Sequence, residues 1–236
     1  MPHLSKPQAT VLALWSFGMV IAKSCGLTTV AALLAQLLPK KENTVRQQLR
    51  EWYWDAPAKK GQDRQEIDVT TCFAPLLQWV LSWWSANERR LALAMDASTL
   101  GQLFVVLAIS VVYRGCAIPM AWVLLPATMP GAWKEHWLTL FEYLRGSIPK
   151  DWTVIVLADR GLYAHWLYQH VVKLGWHPFF RINAGGKYRP EGAKTFRSLA
   201  LAAPCVGSVW CGRVTCFKSQ PLVCTLSARW DEGHTD

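Results

Sequence analysis

Long apolar runs are missing from this 236-residue sequence. The two longest, LFVVLAISVVY (103–113) and VLALWSFGMVIA (11–22), fall well short of the roughly 20 residues a membrane-spanning helix needs. Lys6 precedes the second run, but no small-x-small cleavage pattern follows it, so it is expected to be an ordinary helix and not a secretory leader. Zinc motifs are missing as well. The seven cysteines include no C-x-x-C pair, and Cys205, Cys211, Cys216 and Cys224 are close together without the spacing of a metal site. An odd number of thiols fits reduced cysteines packed on strands in a cytoplasmic protein, and no membrane span is expected. Acids are scarce: 16 Asp and Glu stand against 25 Lys and Arg, a formal net charge of +9. That excess points to an acidic partner, most simply nucleic acid, with an anionic membrane surface as the alternative. Internal repeats and low-complexity tracts are also absent, and 52% hydrophobic against 17% charged residues excludes a disordered chain.

What is present divides near residue 90. The first part has helical periodicity. TTVAALLAQLL (28–38) repeats apolar residues at helical spacing, and PKKEN (39–43) interrupts it. TVRQQLREWYW (44–54) then starts a second helix, with Thr44 and Gln47 spaced as a capping box. Val45, Leu49 and Trp52 share one face, while Arg46, Gln47 and Arg50 point elsewhere. Two helices joined by a short polar turn, the second presenting Arg46, Gln47 and Arg50, have the form of a helix-turn-helix DNA reader, although any surface helical hairpin has the same spacing. LLQWVLSWWSANERR (76–90) is expected to be a buried helix with a polar exit.

From residue 91 the period becomes that of strands. RLALAMDAST, GQLFVVLAISVVYRG and CAIPMAWVLLPA form three strands, the last two turning at Tyr113-Arg114-Gly115. GAWKEHWLTLFEYLRGSIP is an amphipathic helix with Trp133, Trp137, Leu140, Phe141 and Leu144 on one side. DWTVIVLADRG is a fourth strand, LYAHWLYQHVVKLG a helix closed by Gly175, and WHPFFRINAGG a fifth strand. After Gly186, KYRPEGAKTFR is basic and loop-like, and GSVWCGRVTCFKS and PLVCTLSARW are short alternating strands.

Asp96 lies in the first strand and Asp159 ends the fourth. If those strands are adjacent and parallel, two carboxylates meet, and they repel strongly unless a cation lies between them. Mg²⁺ (or Mn²⁺) suits the pair: it is oxygen-loving and keeps waters and phosphate oxygens as its other ligands. Metal ions flanking a phosphodiester activate the attacking oxygen and stabilise the leaving one. Taken alone, each aspartate is equally well an ordinary turn residue. The basic residues Arg181, Lys187, Arg189, Lys194 and Arg197 form a candidate phosphate track, and His165, His170 and His177 are expected to be packing or surface residues.

MDAST in the first strand and LADRGLY after the fourth resemble insertion-sequence transposases of the DDE superfamily. The group most similar places its third carboxylate in a Tyr-x2-Arg-x3-Glu-x6-Lys helix. The resemblance implies an α/β, RNase H-like core, a mixed sheet with flanking helices over 91–236. A small helical DNA-end-binding domain (1–90) would precede it, and a β-rich insertion would begin at about 186. It further implies that Asp96 and Asp159 are catalytic metal ligands. By its position and charge Arg160 is expected to lie close enough to touch phosphate, and Lys187 and Arg189, from the basic stretch, are expected to be further DNA contacts. The reaction would be Mg²⁺-dependent cleavage at transposon ends followed by strand transfer. Partners would be double-stranded DNA (inverted repeats and target) and, in the complete protein, a second copy. After Asp159 the acids are Glu191, Asp231, Glu232 and Asp236, and none stands in the signature; Tyr188 and Arg189 are adjacent and fail its spacing. The expectation is therefore the front portion of a transposase, inactive by itself. The alternatives are a catalytically silent DNA-binding fragment or another RNase H-like nuclease, although 103–125 holds no further acid for the latter.

Overall fold

The computed structural model describes residues 3–60, 65–85, 87–128 and 133–233. Ala86, Gly131, Ala132 and Asp236, which fall within segments named above, lie outside the described residues. The chain divides into two compact units, Met1–Trp84 and Ser85–Asp236.

The first unit is built on three helices, α1 (Lys6–Ala22), α2 (Leu27–Leu37) and α3 (Glu42–Tyr53). Val11, Val30, Ala31, Leu34, Val45 and Leu49 form their shared core, with Trp15 and Trp52 packed against it. The capping box belongs to α1. The Ser5 side chain accepts from the Gln8 backbone N–H, and the Gln8 side chain accepts from Ser5 N–H at 2.9 Å. The box expected at Thr44 does not form. α3 begins at Glu42 after an extended Lys41, which leaves Thr44 within the first turn. The Val45, Leu49 and Trp52 face is as expected, and the Trp52 indole donates to the Gln8 carbonyl at 3.0 Å, pinning α3 to α1. The helix assigned to 76–90 runs instead as α4, Thr70–Leu81, through Pro75. Phe73, Leu77 and Val80 are its buried face, whereas Trp79 is 60% exposed. Among the described residues no single helix is long and apolar enough to cross a membrane. The bent pair α1–α2, turned by 100°, passes that test only when the two are counted together.

The second unit holds two sheets. β1 (Arg90–Leu100), β2 (Phe104–Tyr113) and β3 (Cys116–Pro126) are antiparallel neighbours. The β2–β3 turn has both central residues at positive φ, Arg114 at 49° and Gly115 at 83°, the mirror-image turn that matches strand twist. β4 (Thr153–Ala158) pairs parallel with β1, and β5 (His177–Phe180) parallel with β4. The order is β3-β2-β1-β4-β5, with helices α5 (Lys134–Arg145) and α6 (His165–Lys173) in the crossovers. This sheet is RNase H-like.

One face of it is closed. Leu91, Leu93, Met95, Leu107, Ile109, Val154, Val156 and Ala158 are buried in register. α5 lies against β2 and β3 through Trp137, Leu140, Phe141 and Leu144. Trp133 caps α5 and does not join that stripe. The other face is also apolar, with Ala92, Ala94, Ile155, Leu157 and Phe179, but it remains partly exposed.

The closed face contains a titratable side chain at a packing point. His170 of α6 has Nε2 buried without a hydrogen-bond partner, and its ring lies 5.5 Å from that of Phe141. Burial holds its pKa below 6.5; Lys173 and Arg145 push the same way, and Glu142 opposes them. Because the folded pKa is the lower one, the unfolded chain binds the extra proton. Stability contributed by neutral His170 is therefore present above 6.5 and lost as pH falls towards the depressed value. Urea midpoints should decline between pH 7.5 and 5.5 in the native chain and decline less in His170→Leu. Equal declines would show that the histidine is not the sensor.

The segment 187–197, expected to be loop, contributes two strands to the second sheet, ordered β7-β6-β8-β9. β6 is Lys187–Pro190, β7 Arg197–Ser198, β8 Val209–Cys216 and β9 Leu222–Arg229. Tyr188 explains the difference: it is 2% exposed and sits in a core with Leu199, Val214, Cys216 and Leu226, so the basic run pairs as a strand around one buried aromatic. Gly186 allows the close entry to β6, since a Cβ there would lie 2.8 Å from Leu199 Cδ1.

Candidate active site

The last register pair between β1 and β4 is Met95–Ala158, both buried against the helices. One residue further on each chain come Asp96 and Asp159. Alternation turns Asp96, within β1, to the face opposite Met95; Asp159 is the first residue past β4; both are exposed. Neighbouring strand backbones run about 4.8 Å apart, a separation across which two carboxylates can share one cation. The same rung extends outward. Asp96 pairs with Ala108 and Ala108 with Trp122, while on the far side Arg181 N–H donates to the Ala158 carbonyl at 2.9 Å, setting Arg181 one step past β5 beside Asp159. Arg181 had stood in the sequence as one member of a basic run. Its place on the acidic rung follows from β5 pairing with β4 and has no local signal.

The Asp159-Arg160-Gly161 turn has a simple basis. Asp159 Oδ1 accepts the Gly161 N–H at 2.6 Å, and Leu162 N–H returns to the Asp159 carbonyl at 3.1 Å. The carboxylate thus fixes its own exit from the strand. Asp96 accepts from the Ser98 hydroxyl two residues along the same face. Arg160 is exposed at the turn. Tyr163 follows, its ring 5.2 Å from Phe217 at the end of β8, so the second sheet contacts the loop leaving Asp159. Burial pushes the Tyr163 hydroxyl up to about 12, which leaves it a donor at neutral pH.

Two exposed carboxylates on one rung are a donor set that Mg²⁺ or Mn²⁺ can use, with water and phosphate oxygens completing its shell. Among the described residues no third His, Cys, Asp or Glu joins them. Glu191 lies at the end of β6, in the second sheet. The cysteines are free. Cys216 and Cys224 approach to 3.7 Å, and that hydrogen bond, with burial, holds the Cys216 thiol up and protonated.

The other sequence candidates lie on other elements. Arg46 bonds to Asn43 Oδ1 at 2.8 Å, Gln47 to Glu51 at 2.7 Å, and Arg50 stacks over Trp54 at 5.7 Å. Gln47 also lines a cavity of about 840 Å³ with Gln8, Gln48, Glu51 and Lys59. Lys187 and Arg189 lie on β6.

No family model and no curated protein matches the chain. Among solved structures it is similar to the catalytic domain of the Mos1 transposase, at 16% identity over 51% of this chain and 62% of that one, with a TM-score of 0.28. It is also similar to the Mos1 strand transfer complex, at 15% identity over 74% and 58%, TM-score 0.24. A Mos1 paired-end complex with the left transposon end gives 14% over 74% and 59%, TM-score 0.25. The chain spans about three fifths of the length of these proteins. At such scores the likeness is slight, and the fold rests on the strand order and directions described above.

Proposed function

We propose that the chain works in DDE-type DNA transposition, at the ends of an insertion sequence in the bacterial cytoplasm. The observation that supports this is the parallel register of β1 and β4, whose last pair, Met95–Ala158, immediately precedes Asp96 and Asp159 on the two chains. The two aspartates would hold Mg²⁺ or Mn²⁺. When bound, the metal would activate the attacking oxygen and stabilise the leaving one at a phosphodiester. Arg181 and Arg160, at the same sheet edge, would grip the flanking phosphates. The first unit would bind inverted repeats through α3 with Arg46, Gln47 and Arg50, and Lys187 and Arg189 would add contacts. A complete ligand set needs an acid from outside the described residues. The chain alone is therefore proposed to bind metal weakly and to leave DNA uncut, and transposition is proposed to use a homodimer.

Mn²⁺ binding, followed by the electron spin resonance of the free ion, tests the pair. Asp96→Asn/Asp159→Asn should reduce affinity by about tenfold or more, one lost charge-assisted ligand being worth roughly 1.4 kcal/mol or above. Equal binding by native chain and variant would remove the pair as a metal site. Plasmid DNA incubated with Mg²⁺ should stay intact. Cutting that Asp96→Ala abolishes would keep the site and overturn the inactivity; cutting that survives it would overturn the assignment.

A further inference from the structure

The second sheet has a buried face and an open one. Tyr188, Val214, Cys216 and Leu226 face inward. By alternation and register the open face carries Lys187 and Arg189 of β6, Arg213 and Thr215 of β8, and Thr225 and Ser227 of β9. Arg189 is paired with Thr215, which puts Arg213 on the diagonal two residues away. Glu191, one residue past β6, donates its backbone N–H to the Arg213 carbonyl at 3.0 Å and so adjoins this face, while Asp231, past β9, is taken by Arg229.

Two of the cations lie against one aromatic ring. The Arg189 guanidinium lies 5.2 Å from the centre of the Phe196 ring, and the Lys218 ammonium lies 5.9 Å from the same centre. Neither Arg189, Lys218 nor Arg213 forms an ion pair within the described residues. The ring fixes their positions without neutralising them, as a quadrupole does and a carboxylate would not.

We infer that Phe196, Arg189 and Lys218, with Arg213 and the Thr215 hydroxyl beside them, form a binding site for the phosphodiester backbone of nucleic acid. A planar guanidinium and a point ammonium give complementary grips on phosphate oxygens. The hydroxyls of Thr215, Thr225 and Ser227 on the same face suit hydrogen bonding to a backbone, with exposed Val223 beside Thr215. Phe196 is a positioning residue: it holds the two cations and contacts no phosphate. The site shares Arg189 with the proposed transposition reading and otherwise stands apart from it, since it uses neither Asp96 nor Asp159.

Fluorescence anisotropy of the full chain with a labelled duplex of arbitrary sequence, titrated with salt, tests the site. Arg189→Gln/Lys218→Gln should weaken binding by roughly tenfold and reduce the slope of log affinity against log salt by about two. Phe196→Leu, which keeps both charges, should weaken binding with the slope nearly unchanged. Lys150→Gln/Lys173→Gln, an equal loss of charge at exposed lysines elsewhere, should do neither. Unfolding midpoints equal to the native chain's confirm that each variant is folded. If the control pair lowers affinity and slope as much as the site pair, the effect is bulk charge and the inference fails. It also fails if Phe196→Leu binds as the native chain does. If the site variant keeps its DNA affinity but loses co-sedimentation with phosphatidylserine vesicles, the partner is a membrane surface and the nucleic-acid assignment is overturned. Failure of metal binding in Asp96→Asn/Asp159→Asn leaves this result untouched, so the two readings fall separately.

Discussion

Phe141→Ala is expected to destabilise the sheet-bearing unit by about 3–5 kcal/mol. Phe141 is fully buried on α5, and its ring meets His170 of α6 at 5.5 Å and Trp176, just ahead of β5, at 6.1 Å. One side chain therefore ties together both helices that close the sheet and the segment entering its edge strand. Removing it opens a void whose walls are anchored on different strands, so a local rotamer change cannot fill it. In urea unfolding of the full chain, the transition belonging to the sheet should move to lower denaturant. A loss below about 1 kcal/mol would show that the layer repacks freely.

Leu34→Ala should cost the helical unit about 2–5 kcal/mol, and here the proportion matters more than the amount. A domain of this size has roughly 5–15 kcal/mol in all, and small ones sit at the low end. Leu34 is 1% exposed and packs over Gly18 of α1. A Cβ at Gly18 would lie 2.6 Å from Val30 Cγ1 and 3.3 Å from Leu34 Cγ. α1 and α2 thus approach as closely as a bare backbone allows, and neither can move in to replace a lost isobutyl group. Limited proteolysis of the variant should cut within 6–53 while the strands of the second unit stay resistant. Protection equal to that of the native chain would mean the bundle does not depend on this contact.

The five-stranded sheet was legible in the sequence because its signals are local and redundant. TVIVLA is β-branched and apolar on both faces, as parallel strands covered by helices are, and Arg114-Gly115 announces its own turn. Asp96 and Asp159 could be picked out because a carboxylate is conspicuous against such runs. What failed to show depended on distant partners. β6 looks like a solvated basic loop until β8 arrives to pair with it and cover Tyr188. The start of α3 was missed because Thr44 and Gln47 have the right spacing, whereas the chain leaves its extended course three residues earlier, at Lys41. α4 was placed too late: it begins at Thr70 and passes through Pro75. Arg181 gave no local sign at all of the rung it shares.

Six successive pairings, Arg90–Thr153 to Met95–Ala158, keep β1 and β4 in step before the acids appear. A strand has a side-chain period of two, so one residue inserted ahead of either aspartate would swing that carboxyl group onto the helix-covered side. Two inserted residues would restore the side but carry the acid about 6.6 Å along the sheet. Substitutions nearby alter the surroundings of the pair; a change in chain length dissolves it. Its integrity is a matter of counting.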